Sequence, residues 1–236
     1  MKKLLACLNI LMLCFIIAGC ADTGTSGEIS TPSVSVTPQV TVTPEIVTPT
    51  PYPSPETTPY RVLSDYMGDY VISVNRLQNK VFVFGRDEEN KYTKLVKAFI
   101  CSVGTGPGDN ETPLGIFFTN EKYIWRALYG GTYGQYAIRF YGAYLFHSVP
   151  YTKKDKSALK SEEFNKLGTA ASQGCIRLTV EDAKWLYDNC RKGTLVYIYD
   201  SDKIEPFVES VKKIDLTDPK AVWDPTDPDM NNPWKA

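Results

Sequence analysis

Between residues 21 and 65 the pair Thr-Pro recurs at Thr31-Pro32, Thr37-Pro38, Thr43-Pro44, Thr48-Pro49, Thr50-Pro51 and Thr58-Pro59, and this decides which part of the chain can fold. Proline fixes φ and has no N–H to donate, so a stretch punctuated this way builds neither a helix nor a sheet ladder. It also has little charge and almost no apolar periodicity. Residues 21–65 therefore read as a linker. As polyproline II it is a semi-rigid spacer reaching on the order of 100 Å when fully extended; the plainer reading is a disordered connection of untuned length. Either way the folding material starts near Tyr66.

The residues before the linker read as a processing signal. Lys2 and Lys3 give a positive start, and residues 4–17 are mostly apolar, with Asn9 the clear polar interruption. That run is short for a membrane span and right for the hydrophobic part of a signal peptide. It ends in Ile17-Ala18-Gly19-Cys20, which resembles a bacterial lipobox. Cleavage there would leave Cys20 as a lipidated N-terminus; the alternative is an ordinary secretory cut nearby. Stable anchoring takes more than one acyl chain, which a diacylated or triacylated Cys20 supplies. The expectation is an exported protein, 1–20 signal, lipid-anchored to the outer face of the cytoplasmic membrane and facing the cell wall. Without Lys2 and Lys3 the 26 basic residues fall to 24 against 27 acidic ones, a net charge of about −3. No basic patch invites a nucleic acid.

Of the six cysteines, Cys7 and Cys14 leave with the signal and Cys20 carries lipid. Cys101, Cys175 and Cys190 remain, an odd number that flags a free thiol outside the cytosol. Cys101 falls in a strand-like run and Cys190 on a helical stripe, so both read as small buried hydrophobes, with a Cys101–Cys190 bridge left open.

Residues 66–200 read as a mainly β domain, a sandwich or barrel. Strands are expected at Tyr70-Val71-Ile72-Ser73-Val74, at Val81-Phe82-Val83-Phe84, over 94–103 and over 116–119. Two more are expected at Tyr136-Ala137-Ile138-Arg139-Phe140 and Ala143-Tyr144-Leu145-Phe146-His147, and a last one at Leu195-Val196-Tyr197-Ile198-Tyr199. The glycine-rich loop 104–115 lacks the Gly-Lys-Ser/Thr ending of a phosphate cradle. Thr179-Val180-Glu181-Asp182 looks like a capping box opening the one principal helix, with Ala183, Leu186, Tyr187 and Cys190 as its apolar stripe. The tail 201–236 packs as an arm or hangs loose. Nothing points to an oligomer, and a monomer is expected.

The chemistry concentrates in Ser172-Gln173-Gly174-Cys175-Ile176-Arg177 and in the chain's single histidine, His147. A thiol is a poor nucleophile until ionised, and a nearby imidazole is the usual means near neutral pH. His147 ends a strand and Cys175 sits at a loop, both suitable platforms. The N–H groups of Gln173, Gly174 and Cys175 lie where an oxyanion hole could form. A lone histidine is more often structural and a lone cysteine more often buried. Their combination in an exported chain, with Cys175 between Gly174 and a nearby Arg177, favours catalysis.

His147-Ser148 followed by Ser172-Gln173-Gly174-Cys175-Ile176-Arg177 resembles the signature of the L,D-transpeptidase (YkuD-like) catalytic domain, and Thr112-Pro113-Leu114-Gly115-Ile116-Phe117 resembles that family's upstream segment. The resemblance covers roughly 69–199. It implies that Cys175 attacks the carbonyl between a diamino acid and terminal D-Ala in a peptidoglycan stem, with His147 as base. It further implies that the backbone carbonyl of Ser148 orients the imidazole, that Ser172 and Arg177 shape the substrate site, and that no metal or organic cofactor is needed. Gln173 stands where many members carry a second histidine, which leaves its backbone N–H as its contribution. The 23 residues between Ser148 and Ser172 exceed some members' spacer, and 152–168 is expected to form a flap over the cleft. Tyr123, Trp125, Tyr141 and Tyr144 are candidates to line a substrate groove, with core or surface packing the alternative.

A sortase-like transpeptidase also uses His, Cys and Arg in that order, but its cysteine follows Thr-Leu-x-Thr and its arginine lies farther on. A papain-like wall peptidase places Cys before His, and no histidine follows Cys175. A non-catalytic wall-binding lipoprotein is the rival from another class.

Overall fold

The structure is a computed structural model that describes residues 65–235. The signal, the lipidation site at Cys20 and nearly all of the Thr-Pro linker lie outside the described residues. Among the described residues no helix is long and apolar enough to cross a membrane.

Among the described residues, nine strands form two sheets. Strands β1 (Tyr70–Asn75), β2 (Lys80–Gly85), β3 (Lys94–Ile100), β4 (Gly115–Phe118) and β9 (Leu195–Tyr199) make a five-stranded sheet in the order β3-β2-β1-β9-β4. Strands β5 (Lys122–Ala127), β6 (Tyr133–Tyr141), β7 (Tyr144–Ser148) and β8 (Ile176–Leu178) make a four-stranded sheet in the order β5-β6-β7-β8. The pairs β1/β9 and β7/β8 are parallel and the other neighbours antiparallel. A one-turn helix α1 (Ser161–Phe164) precedes β8, and α2 (Val180–Asn189) follows it. This is the expected mainly-β sandwich with one principal helix.

The main core lies where Ile72, Val74, Val81, Val83, Val196 and Ile198 of the first sheet meet Ile138, Phe146 and Ile176 of the second. Ala183, Leu186 and Cys190 of α2 close it. Helix α2 begins where the capping box places it: the Asp182 N–H donates to the Thr179 hydroxyl at 3.2 Å. Cys101 and Cys190 are buried and unbridged, as the small-hydrophobe reading has them.

Three expectations change. Strands β5 and β8 were not anticipated; β5 is an edge strand with no fully buried residue, so its two faces give no clean alternation, and β8 has three residues, too few for a period to show. β3 stops at Ile100, beyond which Ser102 and Gly104 make only isolated bridges to Arg177 and Ser172. The segment 152–168 is not a flap. Ala158, Leu159 and Phe164 bury in a second core with Val149, Tyr151 and Val180, closed by Ile214 and Ala221 of the tail. Backbone and side-chain bonds fasten the two: Leu159 N–H to Val222 O at 2.9 Å, the Ser161 hydroxyl to Ala221 O at 2.6 Å, and Ile214 N–H to Asn165 Oδ1 at 2.7 Å. The tail is therefore a packed arm. Its Asp224 carboxylate accepts the Val180 N–H at 3.0 Å, capping the first turn of α2 from 44 residues away.

Candidate active site

His147 is the fourth residue of β7, and Cys175 immediately precedes β8. The parallel register pairs Phe146 with Ile176, His147 with Arg177 and Ser148 with Leu178. Carried one residue back, that register brings Cys175 level with Leu145. Alternate residues share a face, so Cys175 and Arg177 lie beside Leu145 and His147. All four line one cavity of about 700 Å³.

The turn before Cys175 is built from its own side chains. The Ser172 hydroxyl accepts the Gly174 N–H at 3.1 Å and donates to Cys175 O. Both functions of Ser172 are thus committed inside the turn. Gly174 has φ +100°, and a Cβ there would lie 2.5 Å from the Tyr144 ring. The Thr112 hydroxyl donates to Gly174 O at 2.8 Å and accepts the Gly104 N–H at 2.9 Å. The glycine-rich loop is therefore the buttress of the cysteine turn. Arg76 clamps its end, bonding Glu111 and Thr112 O on one side and Asp200 on the other.

His147 is 2% exposed. Its Nδ1 stands 2.5 Å from Ser148 O. A carbonyl can only accept, so Nδ1 carries the proton and Nε2 keeps a lone pair. Burial pulls the imidazole pKa down to about 4, and the Arg177 charge adds to this against the Ser148 carbonyl. The ring is neutral at neutral pH. Burial also raises the Cys175 thiol, opposed by the Leu145 backbone and by the charges of Arg177 and Arg139. The sulfur is partly exposed and contacts Ala143 O at 3.9 Å. At rest the thiol and the imidazole are both neutral and, among the described residues, no hydrogen bond joins them; Nε2 keeps a lone pair that can take the thiol proton once the sulfur turns from Ala143 O towards it.

The other expected residues divide. Gln173 lines the cavity beside Cys175. The Gly174 N–H is taken by Ser172, which leaves the backbone N–H groups of Gln173 and Cys175 for an incoming oxygen. Arg177 lines the cavity but is ion-paired to Glu163 of α1 at 2.5 Å. Tyr144 lines the cavity, whereas Tyr141 is half-exposed and stacks on Tyr144 with ring centroids 6.1 Å apart. Trp125 packs edge-on against Tyr151 of the second core, and Tyr123 bonds Glu121. Among the described residues, no cluster of three His, Cys, Asp or Glu side chains could hold a metal.

Sequence reasoning missed four residues. Arg139 and Arg126 line the cavity, and Glu163 holds Arg177. Gly134 of β6 faces the imidazole, where a Cβ would lie 2.8 Å from Nδ1. It reaches that position because Tyr136, two residues on, has φ +50°, a value rarely adopted by an aromatic residue, which breaks the pleat. The Gln135 N–H then meets the Ser148 hydroxyl at 2.9 Å. Nothing in the Gly134 neighbourhood of the sequence signals this, since its partner is thirteen residues away on another strand.

YciB of Bacillus subtilis (strain 168), whose own assignment as an L,D-transpeptidase is provisional, is 38% identical over 132 residues. That match spans 54% of this chain and 64% of the relative, so just under two thirds of the relative's length is represented. Among solved structures, a fused Zn-dependent amidase/peptidase/peptidoglycan-binding domain-containing protein from Clostridium acetobutylicum is 27% identical with a TM-score of 0.42, covering 59% of this chain and 57% of that one. An L,D-transpeptidase from Mycobacterium tuberculosis H37Rv is 21% identical with a TM-score of 0.41, covering 56% and 58%. Residues 69–198 match the model of the L,D-transpeptidase catalytic domain (YkuD), more than half of this chain, and the chain belongs to that family.

Proposed function

We propose that the protein is a cysteine-dependent acyltransferase that cross-links peptidoglycan by L,D-transpeptidation. The observation that carries this reading is that His147 on β7 and Cys175 at the entry to the parallel neighbour β8 line one cavity, with His147 Nδ1 held on Ser148 O. The acyl donor is a tetrapeptide stem ending in a diamino acid and D-Ala. His147 Nε2 takes the thiol proton as the sulfur attacks the carbonyl between them. The oxygen's developing charge falls to the N–H groups of Gln173 and Cys175. Collapse breaks the C–N bond, and His147 returns its proton to the departing D-Ala amine. A thioester remains on Cys175. The side-chain amine of a diamino acid on a second stem attacks it and gives a proton to His147. The new amide forms as the sulfur leaves and recovers that proton. No redox partner or metal takes part.

Buried neutrality suits His147 to this task. A charged imidazole could not accept the proton, and the Ser148 carbonyl stabilises the imidazolium once it forms. We further propose that the protein is exported, anchored through lipidated Cys20 on the outer face of the cytoplasmic membrane, and works there as a monomer on stems of the wall.

A carbapenem tests the nucleophile, because opening its strained ring leaves the whole molecule on the attacking sulfur. Intact-protein mass spectrometry should show one adduct, mapped to Cys175 by digestion. It should be absent in Cys175→Ala and slow to form in His147→Ala. A wild-type protein that stays unmodified would favour a wall-binding role without catalysis.

A further inference from the structure

The cavity beside Cys175 is lined by three guanidinium groups, and two are already matched. Arg139 pairs with Glu121 at 2.6 Å and Arg177 with Glu163 at 2.5 Å. Arg126 also lines the cavity, and no ion pair among the described residues includes it. Its guanidinium instead lies 4.7 Å over the Tyr123 ring, which holds a cation without neutralising it. Glu121, the acidic group that feels its charge, is hydrogen-bonded to Arg139 and Tyr123. The one acidic lining residue, Asp109, belongs to the exposed glycine-rich loop.

Position sharpens the point. Arg126 pairs with Gly134 across β5 and β6, and cross-strand partners share a face. Gly134 is the residue that faces the imidazole without a side chain. Across the sheet the order is therefore Cys175, His147, the lane over Gly134, then Arg126. An anion held by Arg126 lies on the far side of the imidazole from the sulfur. Strands lie about 4.8 Å apart, so β5 stands about 14 Å from β8, and a carboxylate on the backbone unit next to the scissile carbonyl, within about 4 Å of it, reaches less far across the sheet towards Arg126. A carboxylate at the far end of a diamino acid side chain lies about 7 Å away and can pass.

We propose that Arg126 is the specificity-determining residue of the donor site, and that it binds the distal carboxylate of a diamino dicarboxylic acid at the donor's third position. This rests on the acyl-transfer reading above and names its substrate more narrowly. A guanidinium recognises a carboxylate with two parallel N–H donors, whereas a carboxamide or a bare ammonium offers no such partner.

The test uses tetrapeptide donors that differ at one group: a free distal carboxylate, its carboxamide, or lysine, which lacks it. A fourth donor, amidated instead at the preceding residue's side-chain or α-carboxylate, is the control for charge elsewhere on the stem. D-Ala release and the Cys175 acyl-enzyme mass are read for each. The wild type should prefer the free carboxylate about tenfold to a hundredfold in kcat/KM, as expected for one charged hydrogen-bonded pair. The control donor should keep the full rate. Arg126→Gln should level the donors, raising KM more than it lowers kcat, and Arg126→Lys should restore part of the preference. Alkylation of Cys175 by uncharged iodoacetamide, at the wild-type rate, reports that the fold and thiol are intact in both variants. Equal use of all donors by the wild type, preference surviving in Arg126→Gln, or an equal loss with the control donor would overturn the assignment of Arg126. No acyl-enzyme from any donor would overturn the acyl-transfer reading, and this inference with it.

Discussion

At His147 a single buried ring links stability to pH. Its folded pKa, about 4, is below the ordinary 6.5. Between those values the unfolded chain takes up a proton that the folded one refuses, so stability falls as pH falls. The contribution is full above about 6.5 and gone below about 4, and a shift of that size corresponds to roughly 3 kcal/mol. Asp182 and Asp224, both pushed up to about 6 by burial, act in the opposite direction over much of that window. A comparison cancels them. The unfolding free energy of wild type minus that of His147→Gln, by urea titration, should shrink by about 3 kcal/mol from pH 7 to pH 4. A difference that stays flat across that range would mean the imidazole is not held neutral. The same neutrality makes Nε2 available as a base, so the stability experiment and the chemistry report on one physical fact.

Between elements, the glycine-rich loop and the cysteine turn share one hydroxyl. Thr112 is 1% exposed and both of its bonds cross between segments. Thr112→Val keeps the shape and leaves the Gly104 N–H and the Gly174 carbonyl without that partner. We expect a loss of about 2–6 kcal/mol in stability, from the buried Gly174 carbonyl and the partly buried Gly104 N–H at about 1–3 kcal/mol each. Carbapenem acylation should slow as well, because Gly174 sets the backbone that presents Cys175. Unchanged acylation in a destabilised variant would show that the turn stands without its buttress. The Thr-Pro-x-Gly segment was visible in the sequence, but its task was not, since Gly174 lies 62 residues further on. The same distance limit explains the other differences. Cys175 and His147 were legible because ionisable groups and their order carry chemical meaning on their own, whereas the Ser148 carbonyl came only with the family resemblance. The capping box was legible because Thr179 and Asp182 act within one turn. Strand β5 was hidden by mixed exposure, and Gly134 by a pleat reversal at Tyr136 that no residue type announces. Lysines dominate 151–168 locally, while the partners of Ala158, Leu159 and Phe164 arrive some 50 residues later.

Over the whole folded unit, the arm formed by the tail joins the second core to the site. Val149 and Tyr151 of that core follow directly on Ser148, whose carbonyl fixes the imidazole. Ile214 and Ala221 cover them, and Asp224 caps α2, whose residues Ala183 and Leu186 pack on the main core. A chain ending at Ser201 keeps every strand and the Thr179 cap yet uncovers this core and removes the Asp224 cap on Val180. Losing one Ile-sized contact costs about 2–5 kcal/mol and losing a cap about 1 kcal/mol. With about 2–4 °C per kcal/mol for a domain of this size, the melting temperature should fall by about 6–24 °C. Hydrogen exchange should quicken first at 149–151 and 158–164, then at the start of α2, and leave β1, β2 and β9 slow. If the imidazole depends on that strip, carbapenem acylation measured well below the new melting temperature should drop as well. Fast exchange at 149–151 with an undiminished acylation rate would instead show that Ser148 is held by the β7–β8 pairing alone, and that the arm serves stability without reaching the chemistry.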